Sequence, residues 1–170
     1  MFVENGKWRI RAVAMLVEEK GKILLVREDE IREELGKYPD MLSIPMGHIE
    51  DGEDPPTAAL REFAEETGLE AQIDYPLGFF QFEMASRNRA AVWVYKGQLV
   101  GNLKETPSVI WLDEVEFLSL DPFLLRPLNH EIFQLYSVVR YLCGHNHLGP
   151  QGIAWMIQHA MPKASHWTPS

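Results

Sequence analysis

Runs of apolar and β-branched residues near the start of the chain predict strands. One run extends from Lys7 to Val17, and a second ends at Val26 after the pair Lys20-Gly21. A Lys-Gly pair between two such runs is typical of a tight turn. The pattern therefore predicts two strands that are joined by a turn.

Further strands are predicted in the second half of the chain, where short apolar runs are separated by polar residues. The candidate segments are Ala71–Asp74, Leu77–Met84, Ala90–Leu99 and Val109–Leu112. Polar residues from Ser86 to Arg89 separate the second segment from the third. This spacing indicates at least one more connected pair of strands.

Two other segments carry helix signals. Asp54 precedes two prolines and predicts a helix start, and Gly68 predicts its end about three turns later. A second helix is predicted within Pro122 to Leu142 and ends at Gly144; its apolar stripe is Leu128, Ile132, Leu135, Val139 and Leu142. Strands mixed with two well-separated helices favour an α/β fold with a sheet covered on both faces.

Length and composition indicate one soluble domain. The chain has 170 residues, of which 46% are hydrophobic, and its net charge of −9 disfavours nucleic acid and anionic membranes as partners. Met1 to Ile10 lacks the apolar region of a secretory signal, so a cytoplasmic location without membrane attachment is expected. Cys143 is the only cysteine, which excludes an intramolecular disulfide.

The ends of the predicted elements divide the chain further. The stretch from Arg27 to Asp40 holds six acidic residues and reads as a loop near a site. Residues 1–144 form the expected domain. Residues 145–170 are interpreted as a C-terminal extension, either a short helix or a contact in a homodimer.

Three carboxylates share one side of the first helix. At about 100° per residue, Leu60, Phe63, Ala64 and Thr67 lie on one side and Glu62, Glu65 and Glu66 on the other. A solvated acidic face is the simplest explanation. However, negative charge in the last turn opposes the helix dipole, and Arg61 alone cannot neutralise this group together with Glu53. A hard divalent cation such as Mg²⁺ or Mn²⁺ fits these oxygen ligands and suits attack on a diphosphate.

The spacing of nine residues in this region resembles the signature of the Nudix hydrolases. They are Gly47, Glu53, Arg61, Glu62, Phe63, Glu65, Glu66, Gly68 and Leu69. Phe63 is aromatic where the family usually has an aliphatic residue. Pro45 and Trp111–Glu114 also resemble family landmarks, so the likeness extends over roughly Lys7 to Leu142.

The resemblance implies a fold and an activity. It implies a Nudix-like α/β/α sandwich with a mixed β-sheet. It also implies metal-dependent hydrolysis of a diphosphate bond in a nucleoside diphosphate linked to another group, such as a nucleoside triphosphate, a nucleotide sugar or ADP-ribose. Mg²⁺ or Mn²⁺ is the implied cofactor, and a nucleotide-like small molecule is the implied substrate.

The resemblance also assigns roles by position. Glu62, Glu65 and Glu66 match the metal-binding carboxylates, and Arg61 with Glu53 matches a supporting pair that orients them. Met46 matches a residue whose backbone carbonyl binds metal, although a glycine is common there. A further carboxylate, acting as metal ligand or base, is assigned to Glu105 with Glu83 second; each is equally explained as a solvated charge.

Several other residues are candidates from their types alone. Arg27 either contacts a substrate phosphate or is a solvated residue at a strand end. His48 is a candidate substrate contact. Phe80, Phe82 and Trp93 are interpreted as core in preference to base-stacking residues. His145 and His147 are interpreted as solvated.

Two other functions share the predicted fold. A nucleotide sensor without catalysis is the main alternative, although all signature carboxylates are present. A prenyl diphosphate isomerase needs a cysteine near its substrate, and Cys143 is poorly placed for that. The segment Leu77–Val94 lacks the Pro or Tyr that some ADP-ribose and dinucleoside polyphosphate hydrolases carry, which disfavours both substrates.

Overall fold

The computed structural model describes residues 2–4, 7–33, 37–83, 89–101 and 106–145. The strands there are β1 (Phe2–Glu4), β2 (Lys7–Glu19), β3 (Lys22–Arg27), β4 (Leu42–Ser43), β5 (Met46–His48), β6 (Ala71–Glu83), β7 (Arg89–Leu99) and β8 (Val109–Asp113). The helices are α1 (Pro55–Thr67), α2 (Glu114–Leu118) and α3 (Asn129–His145), with a 3₁₀ turn at Pro122–Leu124.

The strands form a mixed sheet around β2. Its order is β4-β3-β2-β7-β6, with β1 and β5 also paired to β2 and β8 paired to β3. The pair β2–β7 is parallel, whereas β2–β3 and β6–β7 are antiparallel. The predicted α/β fold with a mixed sheet is confirmed.

The two faces of the sheet bury two separate apolar clusters. Alternate residues of β2 point to opposite faces, as the period of a strand requires. Ala12, Ala14 and Leu16 belong to the cluster that includes α3 residues, whereas Val13, Met15 and Val17 belong to the cluster that includes α1 residues. The sheet is therefore covered on both faces, as the sequence predicts.

Helix α1 begins and ends where the sequence predicts. The Asp54 side chain accepts a hydrogen bond from the backbone N–H of Thr57 at 3.0 Å, and Pro55 occupies the first turn. Gly68 ends the helix at φ +69°, in the left-handed region that favours glycine. Leu69 does not start the next strand, which begins at Ala71.

The side of α1 that carries Leu60, Phe63, Ala64 and Thr67 is only partly buried. Phe63 and Thr67 are buried, but Leu60 is 37% exposed and Ala64 is also exposed. At about 100° per residue, Leu60 and Glu66 lie about 60° from Phe63 on opposite sides. The helix is rotated so that Glu66, instead of Leu60, is turned toward the protein.

Three further features of the secondary structure differ from the sequence prediction. Strand β6 is continuous through Pro76, with register irregularities between Ile73 and Tyr75 and between Pro76 and Gly78, where a break was expected. Helix α3 includes Gly144 and does not end there. The short helix α2 was not predicted, although Asp113 and Glu116 form a capping box at its start.

Some sequence predictions fall outside the described residues. Residues 146–170 are not described, so the predicted C-terminal extension and its homodimer contact lie almost entirely outside the described residues. In the described part of the chain, no helix combines the length and the apolar character needed to cross a bilayer.

Candidate active site

Strand β5 brings the start of the signature segment against the end of the carboxylate helix. It pairs antiparallel with β2, so Met46 lies opposite Ala14 and His48 lies opposite Ala12. The chain then turns through positive φ at Gly52 and enters α1, which packs on β5 and β2. This return places the backbone of β5 beside the carboxylates of α1.

Arg61 contacts three of the carboxylates in this region. Its Nε and Nη2 donate to the two carboxylate oxygens of Glu53 at 2.9 and 2.8 Å, and Nη2 also donates to the His48 carbonyl at 2.9 Å. Nη1 donates to Glu62 at 2.8 Å and to Glu65 at 3.3 Å. The bond from Arg61 lowers the pKa of Glu53, and the same contact raises the pKa of Arg61, so both stay charged.

Glu62 is held in place from two sides. Arg61 binds one of its oxygens, and Gly47 leaves the space that its carboxylate occupies. A Cβ atom at position 47 would lie 1.9 Å from the carboxyl carbon of Glu62, well inside van der Waals contact. The glycine of the signature is therefore required here by the close approach of the carboxylate.

Glu66 has a different environment from Glu62. Its carboxylate accepts a hydrogen bond from the backbone N–H of Met46 at 2.9 Å, and it forms no salt bridge in the part of the chain that the structure describes. Burial raises the pKa of Glu66 to about 7, against the hydrogen bond from Met46, which lowers it. A buried carboxylate of this kind is stabilised by a cation that binds its ionised form.

Both carboxylates line a cavity of about 250 Å³ whose walls differ in charge. Glu62 and Glu66 form the acidic wall, and Gly47 and His48 lie beside them. The basic residues at the cavity are Arg32, Lys37 and Arg126, and its apolar lining includes Ile10, Phe82 and Val92. The cavity thus joins carboxylates, cations and an apolar surface.

Two of the basic residues at this cavity, Lys37 and Arg126, contact a buried carboxylate, Glu28. One of its oxygens lies 2.7 Å from Nζ of Lys37, and the other lies 3.1 Å from Nη1 of Arg126. The Glu28 side chain is only 4% exposed. Because each oxygen faces a different cation, Glu28 fixes the distance between the two positive groups.

Comparison with known families identifies the family to which the chain belongs. A model of the NUDIX domain matches residues 7–138, which is most of the chain. The chain belongs to the Nudix family. Its domain includes every described strand from β2 to β8 and all of the signature residues Gly47 to Leu69.

Individual relatives agree with this family. Diphosphoinositol polyphosphate phosphohydrolase NUDT4B of Homo sapiens is 31% identical over 91 residues, which cover 54% of this chain and 46% of that protein. The methanol dehydrogenase activator of Bacillus methanolicus is 34% identical over 111 residues, which cover 64% and 55%. The chain thus spans about half the length of these curated relatives.

A solved Nudix structure has the same fold. The NUDIX hydrolase from Nitrosomonas europaea superposes with a TM-score of 0.66 at 25% identity, covering 76% of this chain and 89% of that chain. The predicted Nudix-like architecture is therefore confirmed at the level of three-dimensional structure as well as of sequence.

The carboxylates with predicted metal roles are not gathered at one point. Glu62 and Glu66 line the cavity, but Glu65 is 60% exposed and does not. Within the described residues, no group of three or more His, Cys, Asp and Glu side chains is arranged to hold a metal ion. The donor chemistry still fits a hard cation, since carboxylate oxygens and the Met46 carbonyl are the available ligands.

The other candidates divide between the cavity and the surface. His48 lines the cavity; burial and the nearby Arg126 lower its pKa, so it is neutral at pH 7. Arg27 instead donates to Asp40 on the exposed side of the loop at 3.2 Å. Glu105 lies outside the described residues, and Glu83 is an exposed residue at the end of β6.

The aromatic candidates are mainly core, as the sequence analysis preferred. Trp93 is 2% exposed and packs against Phe79. Phe80 and Phe82 pack on the other core cluster, and Phe82 also lines the cavity. Cys143 is half-buried against that cluster in α3 and does not line the cavity.

Sequence reasoning missed Glu28, Lys37 and Arg126. Glu28 and Lys37 lie in the acidic segment that was predicted to be a loop near a site. The signal available for Lys37 was a positive charge among acidic residues. Arg126 has no local signal, because it reaches the site through a tertiary contact. Its backbone N–H donates to the Leu42 carbonyl at 2.9 Å.

Proposed function

We propose that this chain hydrolyses a diphosphate bond in a nucleoside diphosphate linked to another group, with Mg²⁺ or Mn²⁺ as cofactor. The observation that carries the proposal is the cavity, whose lining includes the carboxylates Glu62 and Glu66 and the cations Lys37 and Arg126. A diphosphate is strongly anionic and is repelled by carboxylates alone. Divalent cations at Glu62 and Glu66, together with the fixed cations of the same cavity, accommodate that charge.

The residues suited to hold the metal are Glu62, Glu66 and the Met46 carbonyl, with Glu65 next to them on the same helix. Glu66 supports this role because it is largely buried without an ion-pair partner among the described residues. When bound, a divalent cation neutralises phosphate oxygens and lowers the pKa of a coordinated water. Oxygen ligands of this type favour Mg²⁺ or Mn²⁺ over softer metals.

The remaining residues of the site position these groups. Arg61 and Glu53 keep Glu62 in one orientation, since two nitrogens of Arg61 bind Glu53 and a third binds Glu62. Arg61 also donates to the His48 carbonyl and so ties α1 to β5. Such supporting contacts set ligand geometry, and geometry controls rate in phosphoryl transfer.

The apolar lining supports a substrate that carries more than phosphate. Phe82, Val92 and Ile10 offer a surface on which a nucleobase packs, and His48 adds a neutral polar contact. Nucleoside triphosphates, nucleotide sugars and ADP-ribose combine a base with a diphosphate. A diphosphoinositol polyphosphate, named in the human relative, has no base and is the contrasting substrate.

Turnover of this substrate panel tests the proposal. We expect release of phosphate or nucleotide that depends on Mg²⁺ or Mn²⁺ and falls by about a thousandfold or more in Glu66→Gln, since a metal-binding group is lost. Glu70→Gln is the matched control, because Glu70 is an exposed carboxylate just beyond α1.

The same panel separates the alternatives. Metal-dependent turnover of the diphosphoinositol polyphosphate alone would reject the nucleotide substrate class. Tight nucleotide binding without turnover by the wild type would replace the hydrolase with a nucleotide sensor. Equal turnover by wild type and Glu66→Gln would reject the assigned site.

A further inference from the structure

A second charged group contributes two cations to the cavity that Glu62 and Glu66 line. It consists of Glu28, Lys37 and Arg126, here called the cation clamp. The side chains are 4%, 16% and 10% exposed, respectively. Buried ionic groups are uncommon unless they are paired, and this group contains one carboxylate for two cations. One positive charge is therefore left without a partner inside the clamp.

The clamp joins two segments that are far apart in sequence. The Glu28 backbone N–H donates to the Met41 carbonyl at 2.8 Å, and the Glu28 carbonyl accepts from Asp40 at 3.0 Å, so the base of the loop is closed around it. Arg126 comes from the turn before α3 and reaches Glu28 over 98 residues of sequence. Glu28 thus holds Lys37 from the loop and Arg126 from the turn at the cavity.

Lys37 and Arg126 have more N–H donors than their contacts among the described residues use. Lysine offers three N–H groups and arginine five. Among the described residues, Lys37 Nζ has Glu28 as its ion-pair partner, and Arg126 Nη1 contacts Glu28 and the Met46 carbonyl, the latter at 3.5 Å. A ligand with several acceptor oxygens and a negative charge fits the donors that remain, and phosphate has both properties.

We propose that Lys37 and Arg126 bind a phosphate group of the substrate, and that Glu28 is the positioning residue that holds them for it. This inference rests on the proposed diphosphate hydrolase. It adds a phosphate site, formed by the two cations of the clamp, to the cavity that Glu62 and Glu66 line. The role of Glu28 is indirect, since its oxygens are directed at the two cations.

The direction in which Glu28→Gln changes the affinity for phosphate distinguishes a positioning role of Glu28 from the effect of its negative charge alone. Removing a negative charge beside two cations would by itself strengthen the binding of an anion. If Glu28 instead sets the geometry of the two cations, its loss weakens phosphate binding although the cavity becomes more positive. A tenfold weaker affinity is the expected result.

Inorganic pyrophosphate is the probe, and its binding is measured by calorimetry in metal-free buffer. All proteins carry Glu66→Gln, which removes a cavity carboxylate that opposes binding. We expect about tenfold weaker binding after Glu28→Gln and after Lys37→Gln. Asp29→Asn and Lys22→Gln are the matched controls, because both residues are exposed and outside the cavity.

Two results would overturn the proposal. One is unchanged or tighter pyrophosphate binding by folded Glu28→Gln, with folding checked by circular dichroism. The other is unchanged binding by Lys37→Gln. If Glu28→Gln does not fold, Lys37→Gln decides the question, since its partly exposed side chain tolerates replacement.

The separate effects of Lys37→Gln on KM and kcat distinguish phosphate binding from a purely structural role. With an active substrate, Lys37→Gln is expected to raise KM about tenfold with kcat changed less than twofold, because the contact is made in ground state and transition state alike. A lower kcat at unchanged KM would contradict the phosphate-binding role. Absence of turnover in the wild type would reject the proposed hydrolase, but the pyrophosphate titration would still decide the binding role of the clamp.

Discussion

The carboxylate of Glu62 fills the space that a side chain at Gly47 would need. A Cβ atom there would lie 1.9 Å from the carboxyl carbon and 1.9 Å from Oε2. Because Arg61 also binds Glu62, the carboxylate cannot move aside without breaking that contact. Gly47 and Glu62 of the signature segment therefore form one structural unit.

Gly47→Ala is predicted to lower turnover about a hundredfold, since displacement of a site group by about 1 Å has effects of that size. The fold is expected to persist, because the clash is with the end of a side chain. Gly144→Ala is the control, because in the described part of the chain, apart from its own helical backbone, no atom lies within 4 Å of a Cβ at that position. Steady-state kinetics and circular dichroism check the prediction, and full activity in Gly47→Ala would contradict it.

Arg61→Lys is predicted to lower the free energy of unfolding by about 2 kcal/mol, because lysine cannot reproduce the paired contacts with Glu53. Turnover should fall as well, since Glu62 loses its orienting contact. Arg140→Lys is the matched control: Arg140 is 43% exposed and pairs with Glu18 and Glu114 at the surface, where such pairs contribute about 0–1 kcal/mol. Equal losses of stability in urea titrations of the two variants would refute the prediction.

Glu66 should make the metal-free protein less stable as the pH rises. Its pKa is raised from 4.5 to about 7 in the folded state. Its protonated form is thus favoured by folding; the contribution is complete below pH 4.5 and is lost as the pH rises through about 7. The loss is on the order of 3 kcal/mol.

Glu66→Gln should remove this part of the pH dependence, because glutamine does not titrate. Urea titrations at several pH values in a metal-chelating buffer measure the difference between wild type and variant. A difference that stays constant between about pH 4.5 and pH 7 would show that Glu66 does not have the raised pKa.

Asn129→Ala is predicted to lower the free energy of unfolding by about 2 kcal/mol, because it leaves the buried Ile44 N–H without its partner and removes one of the two hydrogen bonds that the Arg126 carbonyl accepts. The Asn129 side chain accepts from the Ile44 N–H at 2.6 Å and donates to the Arg126 carbonyl at 2.9 Å. Ser137→Ala is the contrast, since the Ser137 hydroxyl is buried without a hydrogen-bond partner among the described residues. Thermal or urea unfolding should show a loss only for Asn129→Ala.

Local signals in the sequence are sufficient for the elements that carry the signature. Asp54, two prolines and Gly68 define α1 because capping and glycine's left-handed backbone are properties of a few neighbouring residues. Strands β2, β3 and β7 follow from runs of apolar residues for the same reason. The continuity of β6 through Pro76 was missed, because its pairing with β7 outweighs local propensity there. The short helix α2 was missed although its capping box is a local signal.

The sequence by itself determined the family, the carboxylate helix and the chemistry of its carboxylate oxygens, since these depend on residue type and spacing. Only the tertiary structure decided how α1 is rotated, which made Glu66 buried and left Leu60 and Glu65 exposed. It also brought Glu28, Lys37 and Arg126 together, across 98 residues between the first and the last. Contacts at such separation depend on how the sheet and helices pack, and no local pattern of residues specifies them.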